Sequence, residues 1–347
     1  MADKTAIEWT DATWNPITGC SVVSPGCTNC YAMRLAGTRL RNHPSRAGLT
    51  IDSKAGPVWN GEVRFNERAL LQPLSWKQPR MIFVCAHGDL FHESVPDAWI
   101  DQVFAVMALA PQHTFQVLTK RSDRMRSYVN GPDWKIPILG RLPLERIHLE
   151  AAAHMEGDGG VMDALKDRGN VYSLYLDAPW PLPNVWLGVS VEDQKRADER
   201  IPDLLATPGA IRWISAEPLL GRIDFCLTSG AMPIADHPWK NGPILQGIDW
   251  IVAGGESGPS ARPMHPAWAL SLRDQCAAAD VPFLFKQWGE FRPCTKIELS
   301  HACGATKVET IGASAAFLLK VGKKRAGREL DGVIHDAFPE PREVPAL

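Results

Sequence analysis

Six stretches of the chain are predominantly apolar, show no polar alternation and have the length of a strand: Met81–Ala86, Phe115–Thr119, Val185–Val191, Ile211–Ala216, Trp250–Ala253 and Pro282–Phe285. Strands of that kind are buried on both faces, which calls for a parallel sheet covered by helices. Helical patterns fall between them: Pro96–Ala110, with Ser94 as a candidate cap and Pro96 near the first turn, a charged helix ending near Leu205, and Pro266–Ala279. The alternation predicts an α/β fold of (βα) units, a partial or full TIM-type parallel barrel with insertions.

Polar residues recur where these runs end. Asp89 follows the first run, Thr119 and Lys120 close the second, Ser190 and Glu192 the third, and Glu217 the fourth; Gly254-Gly255-Glu256 follows the fifth and Lys286 the sixth. In a parallel barrel the carboxyl ends of all strands meet on one face, where such folds keep their active sites. The pattern therefore predicts one polar mouth.

Ahead of the strands stands a loop rich in Gly, Ser and Pro that carries Cys20, Cys27 and Cys30 in the spacing C-x6-C-x2-C. A short strand at about Thr13–Thr18 would deliver it to one end of the sheet, and a helix from Cys30 to about Arg41 would follow. Pro25 and Gly26 turn the chain so that Cys20 can fold back beside the other two. Three readings stay open. An iron–sulfur cubane held by three thiolates keeps one iron open for a substrate or cofactor; a zinc ion would need a remote fourth ligand, and no nearby His offers one; or the thiols are structural. The other cysteines, Cys85, Cys226, Cys276, Cys294 and Cys303, show no pattern, as expected of a reducing compartment.

The remaining segments read as additions. Residues 42–80, with Pro44, Pro57, Pro73 and Pro79, form an irregular excursion. Residues 130–183, with Gly157-Asp158-Gly159-Gly160 and Pro179, Pro181 and Pro183, form an insertion placed to cover the mouth, and 224–248 a smaller one. A barrel over 1–292 is then followed by an extension over 293–347, with a short helix at Ala315–Leu319 and a basic loop at Val321–Arg328. No run of about 18 apolar residues and no basic-apolar leader occurs, so neither a membrane span nor a secretory signal is expected, and the cytoplasm is the expected compartment.

A formal charge of -2 excludes a polycation that coats nucleic acid. Local phosphate contacts remain open at Lys120-Arg121 with Arg124 and Arg126, and at Lys323-Lys324-Arg325 with Arg328; solvated faces are the plainer reading. Of thirteen tryptophans, Trp9, Trp14, Trp59, Trp186 and Trp288 stand beside polar residues. They read as core and rim packing, with base-stacking platforms as the alternative.

Taken in order, Trp9-Thr10-Asp11-Ala12-Thr13-Trp14-Asn15-Pro16, the cysteine loop ending Cys30-Tyr31-Ala32, Asp89-Leu90-Phe91-His92, Leu118-Thr119-Lys120-Arg121, Gly188-Val189-Ser190-Val191-Glu192, Ser215-Ala216-Glu217-Pro218, Gly254-Gly255-Glu256-Ser257-Gly258 and Phe285-Lys286-Gln287-Trp288-Gly289 are blocks that recur together. Over roughly residues 5–335 the chain resembles a phage-associated three-cysteine family of bacteriophages and bacteria, placed with the radical S-adenosylmethionine (SAM) enzymes. The resemblance implies a radical SAM-like barrel and a [4Fe–4S] cluster on Cys20, Cys27 and Cys30 whose open iron chelates SAM. One electron from an external donor then yields a 5'-deoxyadenosyl radical that abstracts hydrogen from the substrate.

In that reading Lys120 and Glu217 are the candidate catalytic residues. Asp89, Thr119, Ser190, Glu192, Gly254, Gly255, Glu256 and Lys286 are the candidate cofactor-binding residues. Lys120 or Lys286 would pair with the SAM carboxylate. Glu192, Glu217 or Glu256 would hold its amino group or ribose, and the Gly254-Gly255 backbone would admit adenine or substrate. A Gly-Gly-Glu tripeptide follows an early strand in many radical SAM enzymes; here it comes late, and Asp89 takes the early position. Phage association points to a nucleic-acid base as substrate, most concretely isomerisation of an amino-acid adduct of thymine during DNA hypermodification. The alternatives are a DNA repair lyase of photoproduct-lyase type, and a non-catalytic zinc-bound nucleic-acid-binding protein.

Overall fold

A computed structural model describes residues 5, 7–131, 180–225, 245–301, 306–311 and 314–340. Most of the insertions expected at 130–183 and 224–248, and with them the expected cover over the mouth, lie outside the described residues, as do Cys226 and Cys303.

Seven parallel strands form one sheet in the order of the chain: β1 (Ala12–Trp14), β2 (Met81–Val84), β3 (Thr114–Thr119), β4 (Val185–Ser190), β5 (Ile211–Ala216), β6 (Trp250–Gly254) and β7 (Phe283–Gln287). The sheet curls into a half-barrel, so the α/β class and the partial barrel are both observed. The six apolar runs are β2 to β7. The segment expected as one strand near Thr13–Thr18 is instead split into β1 and Ile17–Thr18, which leaves the sheet to pair with Arg64–Phe65.

Alternate residues divide the sheet between two cores. Val185, Leu187 and Val189 of β4 face outward, where α2 (Asp97–Ala108) adds Ile100, Val103, Phe104 and Met107, α3 (Ser122–Asn130) adds Met125 and Val129, and α4 (Gln194–Leu205) adds Ala197, Ile201 and Leu204. That helical spacing puts one apolar stripe on the sheet. Asp193 caps α4 by accepting the Arg196 N–H at 2.9 Å, and His265 caps α5 (Pro266–Ala278) through Ala267 N–H. The inner face carries Trp9, Trp186, Trp213, Trp250, Val252 and Leu284, all buried. Gly188 has no side chain because Trp213 lies across it: a Cβ there would stand 2.5 Å from the indole. Trp14, Trp59 and Trp288 are buried as well, so all five singled-out tryptophans are packing residues rather than stacking platforms.

Three further expectations change. The helix after the cysteines, α1 (Tyr31–Gly37), stops short of Arg41, because Thr38 leaves the helical region at φ -123°, ψ -97°. Residues 42–80 are not merely irregular; they hold a hairpin, Thr50–Ser53 with Gly56–Trp59. The short helix expected at Ala315–Leu319 is part of a strand, Ser314–Lys320, paired antiparallel to both Phe291–Pro293 and Thr306–Ile311. Two partner strands outweigh the local helical preference of that alanine- and leucine-rich stretch. The basic loop contains one helical turn, Lys323–Ala326. The end of the extension folds back along the edge of β7: Phe285 N–H donates to His335 O at 3.0 Å, and Phe338 stacks on Trp250. No helix among the described residues is long and apolar enough to cross a membrane.

Candidate functional site

The carboxyl ends of β2 to β7 converge, and the cysteine loop is fastened to them. Asp89, after β2, is buried and accepts four hydrogen bonds: Thr119 Oγ1 (2.7 Å) and Phe91 N (3.0 Å) on Oδ1, and Lys120 N (3.2 Å) and Arg121 Nη1 (3.1 Å) on Oδ2. Arg121, held there, reaches Cys20 Sγ at 3.3 Å, Ser21 Oγ at 2.5 Å and Glu93 at 2.9 Å. His92 adds a further bond to Ser21. Because His92 Nδ1 accepts Ser94 N–H, its Nε2 carries the proton and donates to Ser21 Oγ at 3.0 Å, so this Ser–His contact has no base to activate the hydroxyl.

Two glutamates grip the middle of the loop. Glu192, fully buried beyond β4, accepts Gly26 N–H at 3.1 Å and Arg200 Nη1 at 3.1 Å. Burial alone would raise its pKa, but Lys120, the Ser24 hydroxyl, Arg200 and Gly26 N–H hold it below the usual carboxylate range. Glu256, beyond β6, accepts Asn29 Nδ2 (2.8 Å), Arg262 N (2.8 Å), Arg262 Nε (2.9 Å) and Arg262 Nη2 (2.6 Å). Burial again pushes up, and the Arg262 and Asn29 bonds outweigh it and hold the carboxyl low. Arg262 also reaches Pro25 O at 3.0 Å. Gly19, just before Cys20, sits at φ +96° against Glu62 O, where a Cβ would come within 2.2 Å. Only glycine fits there.

The three thiols are free of disulfides. Cys30 occupies the N-cap position of α1, where the Met33 and Ala32 N–H groups favour its thiolate, yet burial dominates and raises its pKa; burial, with Asp89 second, pushes Cys20 up to about 12 against the pull of Arg121. Among the described residues no three Cys, His, Asp or Glu side chains are grouped to hold a metal ion. The donor set nevertheless fits a cubane in kind: three thiols on one anchored loop, with the cations Arg121 and Lys120 beside Cys20 and Cys30 to balance thiolate charge.

The remaining strand-end residues are less committed. Lys120 donates to Ser190 Oγ, which passes a bond to Glu217 O at 3.3 Å. Lys286 pairs with Glu217 at 3.1 Å, and both keep some exposure. The structure thus sorts the sequence candidates. Asp89, Thr119, Glu192 and Glu256 brace the loop, while the charged ends of Lys120, Glu217 and Lys286 face the mouth with single, exchangeable partners, and Ser190 is a buried relay between Lys120 and Glu217 O. Gly254 lies against Glu217, with a Cβ position 2.6 Å from its Oε1, and Gly255 against Trp288 O at 2.1 Å. Their close approach is therefore to this chain's own groups rather than to open space.

Sequence reasoning did not assign Arg262, Asn29 or Arg200, and placed Arg121 only as a phosphate contact. Arg121 is 8% exposed and wholly engaged inside the protein. Their one sequence signal is position: Arg121 and Arg262 are the first arginines after a strand end. In the other basic cluster, Lys323 pairs with Glu8 at 3.2 Å and Arg328 with Asp336. No curated protein and no solved structure matches the chain. A family model matches residues 4–339, and the chain therefore belongs to the family described as protein of unknown function DUF5131.

Proposed function

We propose that this protein is a radical SAM enzyme that carries a [4Fe–4S] cluster on Cys20, Cys27 and Cys30 and acts on a nucleic-acid base, in its most concrete form isomerising an amino-acid adduct of thymine in phage DNA hypermodification. One observation carries the reading: the anchors engage the residues around the cysteines, Ser21, Gly26, Asn29 and Pro25, and leave the three thiols free of disulfides over the mouth of a parallel half-barrel. A loop held so firmly by what surrounds its sulfurs is built to present them.

When bound, the cluster and SAM together supply a 5'-deoxyadenosyl radical by one-electron cleavage of a C–S bond. The protein's own part is placement. Lys120, whose ammonium among the described residues is bonded to Ser190 alone, can turn to a carboxylate of SAM. Glu217 and Lys286 form a pair that a ligand bearing both an ammonium and a carboxylate can split, each charge taking the opposite partner. The tryptophan layer beneath closes the interior to water.

Anaerobic reconstitution with iron and sulfide, reduction with dithionite and addition of SAM should release 5'-deoxyadenosine, and Cys27→Ala should abolish it. A protein that binds one zinc and no iron, or a full cluster that never cleaves SAM even with adducted thymine present, would overturn the reading.

A further inference from the structure

Arg46 is 7% exposed, yet no described carboxylate pairs with it. Its Nε donates to His87 Nδ1 at 3.4 Å and its Nη1 to Ser45 O and Oγ, all neutral acceptors. Among the described residues Nη2 has no protein partner, and it is not sealed from solvent. A buried cation without a counter-charge is costly, and proteins normally pair it. The surroundings make the position more positive still. Arg64 donates its Nη1 to Pro44 O (2.6 Å) and its Nη2 to Ala47 O (2.7 Å), again neutral, and its charge bears on Arg46. Burial first, and the Arg64 charge in addition, lower Arg46 to about 10, so Arg46 is cationic at neutral pH. His87, pushed down to about 4 by burial and then by Arg46, stays neutral, and so does the Cys85 thiol, pushed up to about 12 by burial.

The location is informative. Tyr31, the residue after Cys30, sets its ring edge-on to His87 at 5.9 Å, and its phenol lies within electrostatic reach of Cys30, Glu217 and Arg46. The unpaired charge therefore borders the mouth. Turn residues His43–Ala47 hold it there, and Thr18 Oγ1 fixes that turn through Ser45 O at 2.6 Å.

We propose that Arg46, backed by Arg64, is the binding site for a phosphate group of a nucleotide substrate, which supplies the missing counter-charge and sets the base over the mouth. This rests on the reading that the substrate is a nucleic-acid component. The phosphate contact then lies in the excursion before β2, not at Arg121, which is committed to Asp89 and Glu93.

The test is direct binding to the full-length protein, without reductant or SAM, of thymidine, thymidine monophosphate and a short oligothymidylate. Native protein should bind a phosphorylated ligand at least about tenfold more tightly than thymidine, with a preference that weakens as salt rises. Preference for the mononucleotide identifies a free nucleotide; preference confined to the oligomer identifies a strand. Arg46→Gln should erase the preference, and Arg41→Gln, an exposed arginine paired with Asp52, should keep it. If Arg46→Gln fails to fold, competition in the native protein decides: inorganic phosphate should displace the nucleotide and not thymidine. Equal binding of all three ligands, no binding of any, or a preference that survives Arg46→Gln overturns the site. A protein that shows the preference but never forms 5'-deoxyadenosine fails the radical reading and keeps the phosphate site.

Discussion

The two ends of the inner face of the half-barrel are made by the same strands and share almost no chemistry. At the amino end Trp9 meets Phe83, Trp213 and Trp250 with ring centroids 4.9, 5.2 and 6.2 Å apart, in a layer of buried apolar side chains. At the carboxyl end Glu192, Glu217 and Glu256 each face a cation, Arg200, Lys286 and Arg262. The floor is held by area and shape, which tolerate no change of volume. The mouth is held by directed bonds, which tolerate change only where a partner can be exchanged.

That contrast can be broken in order of expected effect. Trp213→Ala should cost about 3–5 kcal/mol in chemical denaturation, with reduced cooperativity, because nothing can refill the space over Gly188. Arg121→Gln removes the charge facing buried Asp89 and should cost about 3 kcal/mol, while also freeing the loop, so iron bound after reconstitution should fall with it; Arg121→Lys should restore part of the stability and less of the iron. Gly19→Ala should leave the floor's fluorescence signature intact and lower iron incorporation, since the strain falls on the loop alone. Glu217→Gln leaves Lys286 without its carboxylate and should cost about 1–3 kcal/mol, while still abolishing turnover.

Acid sharpens the same comparison. Glu192 and Glu256 have folded pKa values below the ordinary 4.5, so the unfolded chain binds protons that the folded one refuses. Their contribution is complete above about pH 4.5 and is lost as pH falls through the lowered values. The floor is held by apolar packing, which does not itself depend on proton binding. In an acid titration the loop should detach, read as iron release, while tryptophan emission still reports a packed floor; simultaneous loss of both would show that the two ends are one cooperative unit.

The floor and the strands were legible in the sequence because burial on two faces writes itself locally: Val185–Val191 and Trp250–Ala253 need no partner to be recognised. The Ala315–Leu319 helix failed for the opposite reason, since two partner strands decide its conformation. At the site, the polar ends of the strands announced the mouth, but their division into braces and exchangeable residues was hidden. Glu256 and Glu217 look alike in sequence, and only the arrival of Asn29 and Arg262 at one of them tells them apart.

The fastening of the cysteine loop also has an order in time. Gly26 lies 166 positions before Glu192, and Asn29 lies 227 before Glu256. A chain made from its amino end exposes the three thiols long before either carboxylate exists to hold them. During synthesis the sulfurs are reachable from all sides; once β6 is in place they are framed. If the loop carries the proposed cluster, the cluster would enter most easily before Glu192 and Glu256 have closed on the loop, and the closed frame would then help to retain it.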